Sequence, residues 1–191
     1  MYSLSTRFNV VLYNMMFGMI SMGALNYFTG LYDTHEITDH SFKLGQIDLF
    51  KYDKYLDEHA ASFQFNMKAN ITDLFNWNTN IIFLAMVCEY ETEQSTKNAV
   101  TVWDQRIPRE QTQFYTLDLT DEWVEYYLTD VTQSLKGKDV NVYLRWEQMT
   151  TIGPYYSGKV KIGDFKMPGE YQSQHKKRSH RPGPSKRIEN Y

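Results

Sequence analysis

The chain has 191 residues, a formal net charge of −3 and a single cysteine, Cys88, which excludes an intrachain disulfide. Its 15 Tyr, 11 Phe and 4 Trp suit strands better than a helical bundle. The charge is uneven: residues 175–187 hold six Lys/Arg and no acid, leaving 14 bases against 22 acids over residues 1–174, a net of −8.

From Phe8 to Tyr32 the sequence FNVVLYNMMFGMISMGALNYFTGLY contains no Asp, Glu, Lys or Arg. As a helix it would be about 37 Å long at ~1.5 Å per residue, enough to cross a hydrocarbon core of about 30 Å with some tilt. Arg7 precedes it, and Asp33, His35, Glu36 and Asp39 follow it. A cation on the short side favours a cytosolic N-terminus, with everything from Asp33 onward on the far side. A cleaved signal peptide is the rival, with Ser21-Met22-Gly23 as a small-x-small site. The apolar stretch runs on through Leu31, past that site, which favours a retained anchor. Asn14, Gly18, Ser21 and Leu25 share one helical face. A small, polar stripe of this kind lets another membrane helix approach closely.

The expected domains are therefore a cytosolic N-terminus (1–7), a transmembrane signal anchor (8–32), a β domain (33–171) and a basic tail (172–191). Residues 33–41 read as a polar linker. FKLGQIDLF (42–50) reads as a first strand, although neither face is cleanly apolar. KYDKYLDEHA (51–60) reads as a charged connection. Phe63, Phe65, Met67, Ala69 and Ile71 then alternate with polar residues, the pattern of a half-buried strand.

DLFNWNTN (73–80) has turn chemistry around Phe75 and Trp77. IIFLAMVCEYE (81–91) is continuous enough for a central strand buried on both faces. TEQSTKN (92–98) is a turn, and AVTVWDQRI (99–107) alternates until Pro108 ends it. FYTLDL (114–119) and EWVEYYL (122–128) are shorter candidates. LKGKD (135–139) is a turn in which Gly137 can take a positive φ. DVNVYLRWEQM (139–149) alternates again, and GPYYSGKVKIGDF (153–165) carries a last strand after Gly-Pro and Ser-Gly punctuation. Seven to nine short strands with no helix outside the membrane predict an antiparallel β-sandwich. From Gln172 onward the chain is polar and reads as disordered.

Motifs that carry chemistry are missing. There is no G-x-S-x-G, Ser-x-x-Lys, H-E-x-x-H, C-x-x-C or Gly-rich phosphate loop. His35, His40 and His59 fall in charged linkers and His175 and His180 in the tail, so no catalytic, metal or cofactor site is expected. Cys88 lies in an apolar run and reads as a small hydrophobe. Glu89, Glu91 and Glu93 read as a solvated face. Asn70-Ile71-Thr72 is the only N-glycosylation sequon. Trp77, Trp103 and Trp146 read as core or turn packing. On the far side of a membrane the basic tail would meet anionic lipid or acidic protein, not nucleic acid.

LFNWNTNIIFLAMVCEYET (74–92) followed by NAVTVWDQRI (98–107) resembles the strongest block of the signal peptidase complex subunit 3 family. The matching positions are Phe75, Trp77 and Asn78, then Glu89 and Tyr90, then Trp103 and Asp104. LKGKDVNVYLRWEQM (135–149) resembles a second block through Gly137 and Trp146, and Pro168 and Tyr171 fit a short close. The family often carries a sequon before the second Trp strand, which this chain lacks. The resemblance implies a single-pass type II glycoprotein of the endoplasmic reticulum membrane. It further implies a luminal sandwich that acts as a non-catalytic accessory to the subunit that removes signal peptides, without a cofactor. Implied partners are that catalytic subunit, the other subunits of the complex and membrane lipid, with the translocon as a further candidate. The alternative reading is a membrane-anchored luminal β-sandwich that binds another protein or a glycan.

Overall fold

The computed structural model describes residues 3–30 and 36–173. An α-helix, α1 (Leu4–Gly30), precedes nine strands. These are β1 (Thr38–Asp53), β2 (Glu58–Asn70), β3 (Thr79–Tyr90), β4 (Asn98–Pro108), β5 (Thr116–Trp123), β6 (Leu128–Asp130), β7 (Asp139–Thr150), β8 (Tyr156–Lys166) and β9 (Gln172–Ser173). α1 begins ahead of the charge-free stretch and is long and apolar enough to cross a membrane.

The strands form two antiparallel sheets packed face to face. Sheet A has the order β5-β2-β1-β9, with β6 sharing the β5 edge of β2; sheet B has the order β4-β3-β7-β8. The alternating segments supply the core. Phe63, Phe65 and Met67 point in from β2, Ile82, Leu84, Met86 and Cys88 from β3, and Val140, Val142 and Leu144 from β7. All ten are fully buried. Burial of this apolar surface, at roughly 25 cal/mol per Å², is the main force holding the sheets together.

The structure corrects several boundaries. β1 starts at Thr38 and ends at Asp53, so the 33–41 linker and the 51–60 connection are both partly strand. Only residues 54–57 turn the hairpin into β2. His40 lies in β1, and His59 lies buried in β2, not in linkers. Register shifts between Leu44 and Ile47, and between Ile47 and Leu49, add residues to β1. Its core-facing residues are consequently Phe42, Leu44, Ile47 and Phe50. A bulge moves the inward position by one, which is why strict alternation shows no clean apolar face. The two short candidates at 114–128 rearrange into β5 and the three-residue β6. β3 is central but not fully buried on both sides: Ile81, Phe83 and Val87 on its outer face are half-buried. Gln172 and Ser173, expected to be disordered, pair with Phe50 and Leu49. The rest of the basic tail lies outside the described residues.

Four connections cross between the sheets. Residues 71–78 and 109–115 cross at one end, beside the β7–β8 loop 151–155 and the start of β1. Residues 131–138 and 167–171 cross at the other end. α1 meets the sandwich at the first of these ends.

Candidate functional site: the helix-bearing end of the sandwich

The segment 71–80 is built around asparagines, which favour tight turns because their side chains bond nearby backbone. Asn76 Oδ1 accepts from the N–H groups of Asn78 and Thr79, at 3.0 and 2.9 Å. The buried Thr79 hydroxyl lies 2.8 Å from Asn76 Oδ1 and accepts from Gln148 Nε2 at 2.6 Å. Phe75 stacks on Tyr115 at 4.0 Å between centroids, joining the two crossing loops. The N–H of Ile71 donates to the Tyr115 carbonyl (2.8 Å), and that of Arg109 to the Asn80 carbonyl (2.9 Å). The Arg109 guanidinium also donates to the Trp77 carbonyl.

Asn78 clamps the third loop. Its Nδ2 donates to the Ile152 carbonyl at 2.6 Å, its Oδ1 accepts from the Ile152 N–H at 3.1 Å, and its own carbonyl accepts from the Thr151 N–H at 2.8 Å. The Ile152 carbonyl takes a second donor, Asn26 Nδ2 of α1, at 2.7 Å. One carbonyl therefore ties the helix to the motif turn. Asn26 is the buried residue of α1. Gly30 also lies close to the sandwich: a Cβ there would come 2.6 Å from the Tyr156 hydroxyl.

Other sequence-selected residues serve the fold elsewhere. Tyr90 is buried, and its hydroxyl lies 3.1 Å from the Thr129 carbonyl and 3.2 Å from Asp130, linking sheet B to sheet A. Burial pushes its ionisation well above the usual tyrosine range. Glu89 pairs with Lys159 across the outer face at 2.8 Å. Trp103 packs edge-on to Phe65. Asp104 lies opposite Ala85 on the outer side of sheet B. Gly137 takes φ +64° and donates its N–H to the Pro168 carbonyl at 3.2 Å. Trp146 covers Gly158, where any Cβ would collide with the indole. Asn70 accepts from the Thr72 N–H and hydroxyl, at 3.0 and 2.6 Å, and stays partly exposed at the helix-bearing end. Trp103 and Trp146 are buried in the core, whereas Trp77, in the turn before β3, is 59% exposed. On α1, Asn14 and Gly18 are exposed and Ser21 is half-exposed; space beside Gly18 is open.

Sequence reasoning missed Asn26, Asn76, Ile152 and His59. The Asn-rich string around Trp77 was the one signal for this joint. His59 sits at the opposite end. Its Nδ1 accepts from the Leu135 N–H at 3.3 Å, and its Nε2 lies 2.9 Å from the Tyr171 hydroxyl. Burial lowers its pKa, against the pull of Asp130, and Lys136 adds to the lowering. Burial also pushes the Cys88 thiol far up, which disfavours its thiolate form. Among the described residues, no group of three or more His, Cys, Asp or Glu is placed to hold a metal ion.

Comparison with known proteins places this architecture. A family model described as "Signal peptidase subunit" matches residues 1–170. A Debaryomyces hansenii protein named signal peptidase complex subunit 3 is 29% identical over 129 residues, 66% of this chain and 64% of its own length. The Drosophila melanogaster protein of that name is 31% identical over 118 residues, 60% of this chain and 65% of its own. In both, the match spans just under two thirds of the relative. The Dictyostelium discoideum protein of that name is 24% identical over 175 residues, 91% of this chain and 99% of its own length.

Proposed function

This chain belongs to the signal peptidase subunit family, and we propose that it is a non-catalytic accessory subunit of a signal peptidase complex. It supports the catalytic subunit in removing signal peptides at the membrane of the endoplasmic reticulum. α1 is the signal anchor, the N-terminus is cytosolic and the sandwich is luminal. The observation that carries this reading is the joint at Ile152. A helix able to cross a bilayer is hydrogen-bonded to a cross-braced β-sandwich, so the sandwich is held close to the membrane surface.

An accessory role fits the chemistry of the described residues. The buried histidine has both ring nitrogens engaged, and the cysteine is sealed in the core. A catalytic centre in a partner gains from rigid neighbours that hold its residues in place. The stripe of exposed Asn14 and Gly18 with half-exposed Ser21 offers another membrane helix a close approach. Asn70 serves as the glycan acceptor, since its side chain is partly exposed and bonded only within its own sequon among the described contacts. The motif residues Phe75, Trp77 and Asn78 build the membrane-side joint, whereas Tyr90, Trp103, Gly137 and Trp146 hold the sandwich together.

The test is to tag the full chain, solubilise membranes in mild detergent and identify co-purifying proteins by mass spectrometry. A serine-type signal peptidase subunit in near-equal amount supports the reading. A chain that purifies alone from membranes active in signal-peptide removal would sink it. Depleting the chain should then abolish preprotein cleavage.

A further inference from the structure

We propose that Trp77, Ile152 and Tyr155 enter the interfacial layer of the bilayer that α1 crosses, so the sandwich is seated on the membrane at two points. The inference rests on the anchored reading of α1. Its first support is depth. Arg7 sets the outer limit of the hydrocarbon on the N-terminal side, and a core of about 30 Å takes about 20 helical residues from there. Counted from Phe8, that brings Asn26 to the opposite edge of the hydrocarbon. The Ile152 carbonyl is 2.7 Å from Asn26 Nδ2, so the 151–155 loop sits at the same depth. Trp77 adjoins Asn78, which holds the same carbonyl at 2.6 Å.

Composition is the second support. Trp77 is 59%, Ile152 61% and Tyr155 77% exposed, although all lie beside the Asn26–Ile152 contact between the helix and the sandwich. Trp and Tyr have an apolar body and a polar tip, which suits the headgroup boundary. The third support is backbone pairing, which apolar surroundings demand. The N–H groups of Thr151 and Ile152 and the carbonyls of Ile152 and Pro154 all have partners within the protein, and Pro154 has no N–H. Arg109, donating to the Trp77 carbonyl, stands beside the patch with Glu110 next in sequence. The carboxylates Asp39 and Asp73 lie towards the start of β1, where Thr38 bonds Asp73.

The full chain would be reconstituted in phosphatidylcholine vesicles with and without bromine on the upper acyl chain, which quenches nearby indoles. α1 has no tryptophan, Trp103 and Trp146 are buried, and Trp123 ends β5 away from the helix. Brominated lipid should therefore quench the wild type, and Trp77→Phe should lose most of that quenching while still floating with the vesicles. As a second readout, an environment-sensitive dye on Tyr155→Cys should shift to the blue in vesicles. The same dye on Leu56→Cys, at the far hairpin, should not; buried Cys88 stays unlabelled. Equal quenching of wild type and Trp77→Phe, or matching dye spectra at 155 and 56, would overturn the proposal and leave the patch as a protein-binding surface. A wild-type chain that does not float would remove the anchored reading itself.

Discussion

Single residues decide how firmly the joint and the core are held. Asn78 makes two side-chain bonds to Ile152, each worth about 0.5–1.5 kcal/mol net. Asn78→Ala should therefore cost about 2 kcal/mol and speed hydrogen exchange at the Ile152 amide more than elsewhere. Asn26→Ala should cost less, about 1 kcal/mol or below. The Ile152 carbonyl would keep its bond from Asn78, and Asn26 Oδ1 is buried without a partner already. Gly158→Ala should destabilise by about 1–3 kcal/mol, read as a lower urea midpoint, because the new methyl group must displace the Trp146 indole. His59 contributes a pH dependence of its own. Its pKa is lowered in the fold, so the unfolded chain binds the proton more readily. Stability is full above the unfolded value of about 6.5 and falls as pH drops below it, until the folded pKa is passed. A urea series from pH 8 to pH 5 should show this decline. His59→Gln should remove this contribution and flatten the curve in that range.

At the scale of elements, the strands divide into those that announce themselves and those that do not. β7 and the second half of β2 alternate because extended strands expose every second residue to the core, whereas β4 breaks its alternation at Val102 and Trp103, both buried, where its pairing with β3 shifts register. β1 hides the same logic behind its bulges, and β9 is too short to have a pattern. Yet β9 and the segment before it have work to do. Tyr171 bonds His59, packs on Phe50 and lies under the Lys136 ammonium, 3.5 Å from its ring centroid. A chain ending at Ser173 should match the full chain in thermal midpoint. One ending at Glu170 should lose about 2 kcal/mol, from a hydrogen bond of about 1 kcal/mol and a cation–π contact of about 0.5–1 kcal/mol.

For the whole molecule, the two ends of the sandwich have different tasks. The end bearing His59, Tyr90 and Asp130 closes the core with a buried polar network. The other end gathers three loops around a carbonyl that also receives α1. Disrupting both donors, as in Asn26→Ala with Asn78→Ala, should leave the sandwich folded but free to move relative to the helix. Lower co-purification of a catalytic partner from that double variant, with near-UV circular dichroism of the body unchanged, is the expected outcome.

The sequence by itself determined the apolar helix, the antiparallel β class and most of the core, because periodicity and continuous apolar runs are local records of burial. It also marked Asn70, Trp77 and Asn78 as residues of interest and tied the chain to its family through short motif blocks. Only the tertiary structure decided what those residues touch. Asn26 and Ile152 are separated by 126 positions, and nothing local in either stretch specifies their bond. His59 read as a linker residue because the charges around it conceal a β-hairpin. Trp77 read as core or turn packing, because aromatic character says that a side chain avoids water, while only the folded chain shows whether the protein itself supplies the shelter.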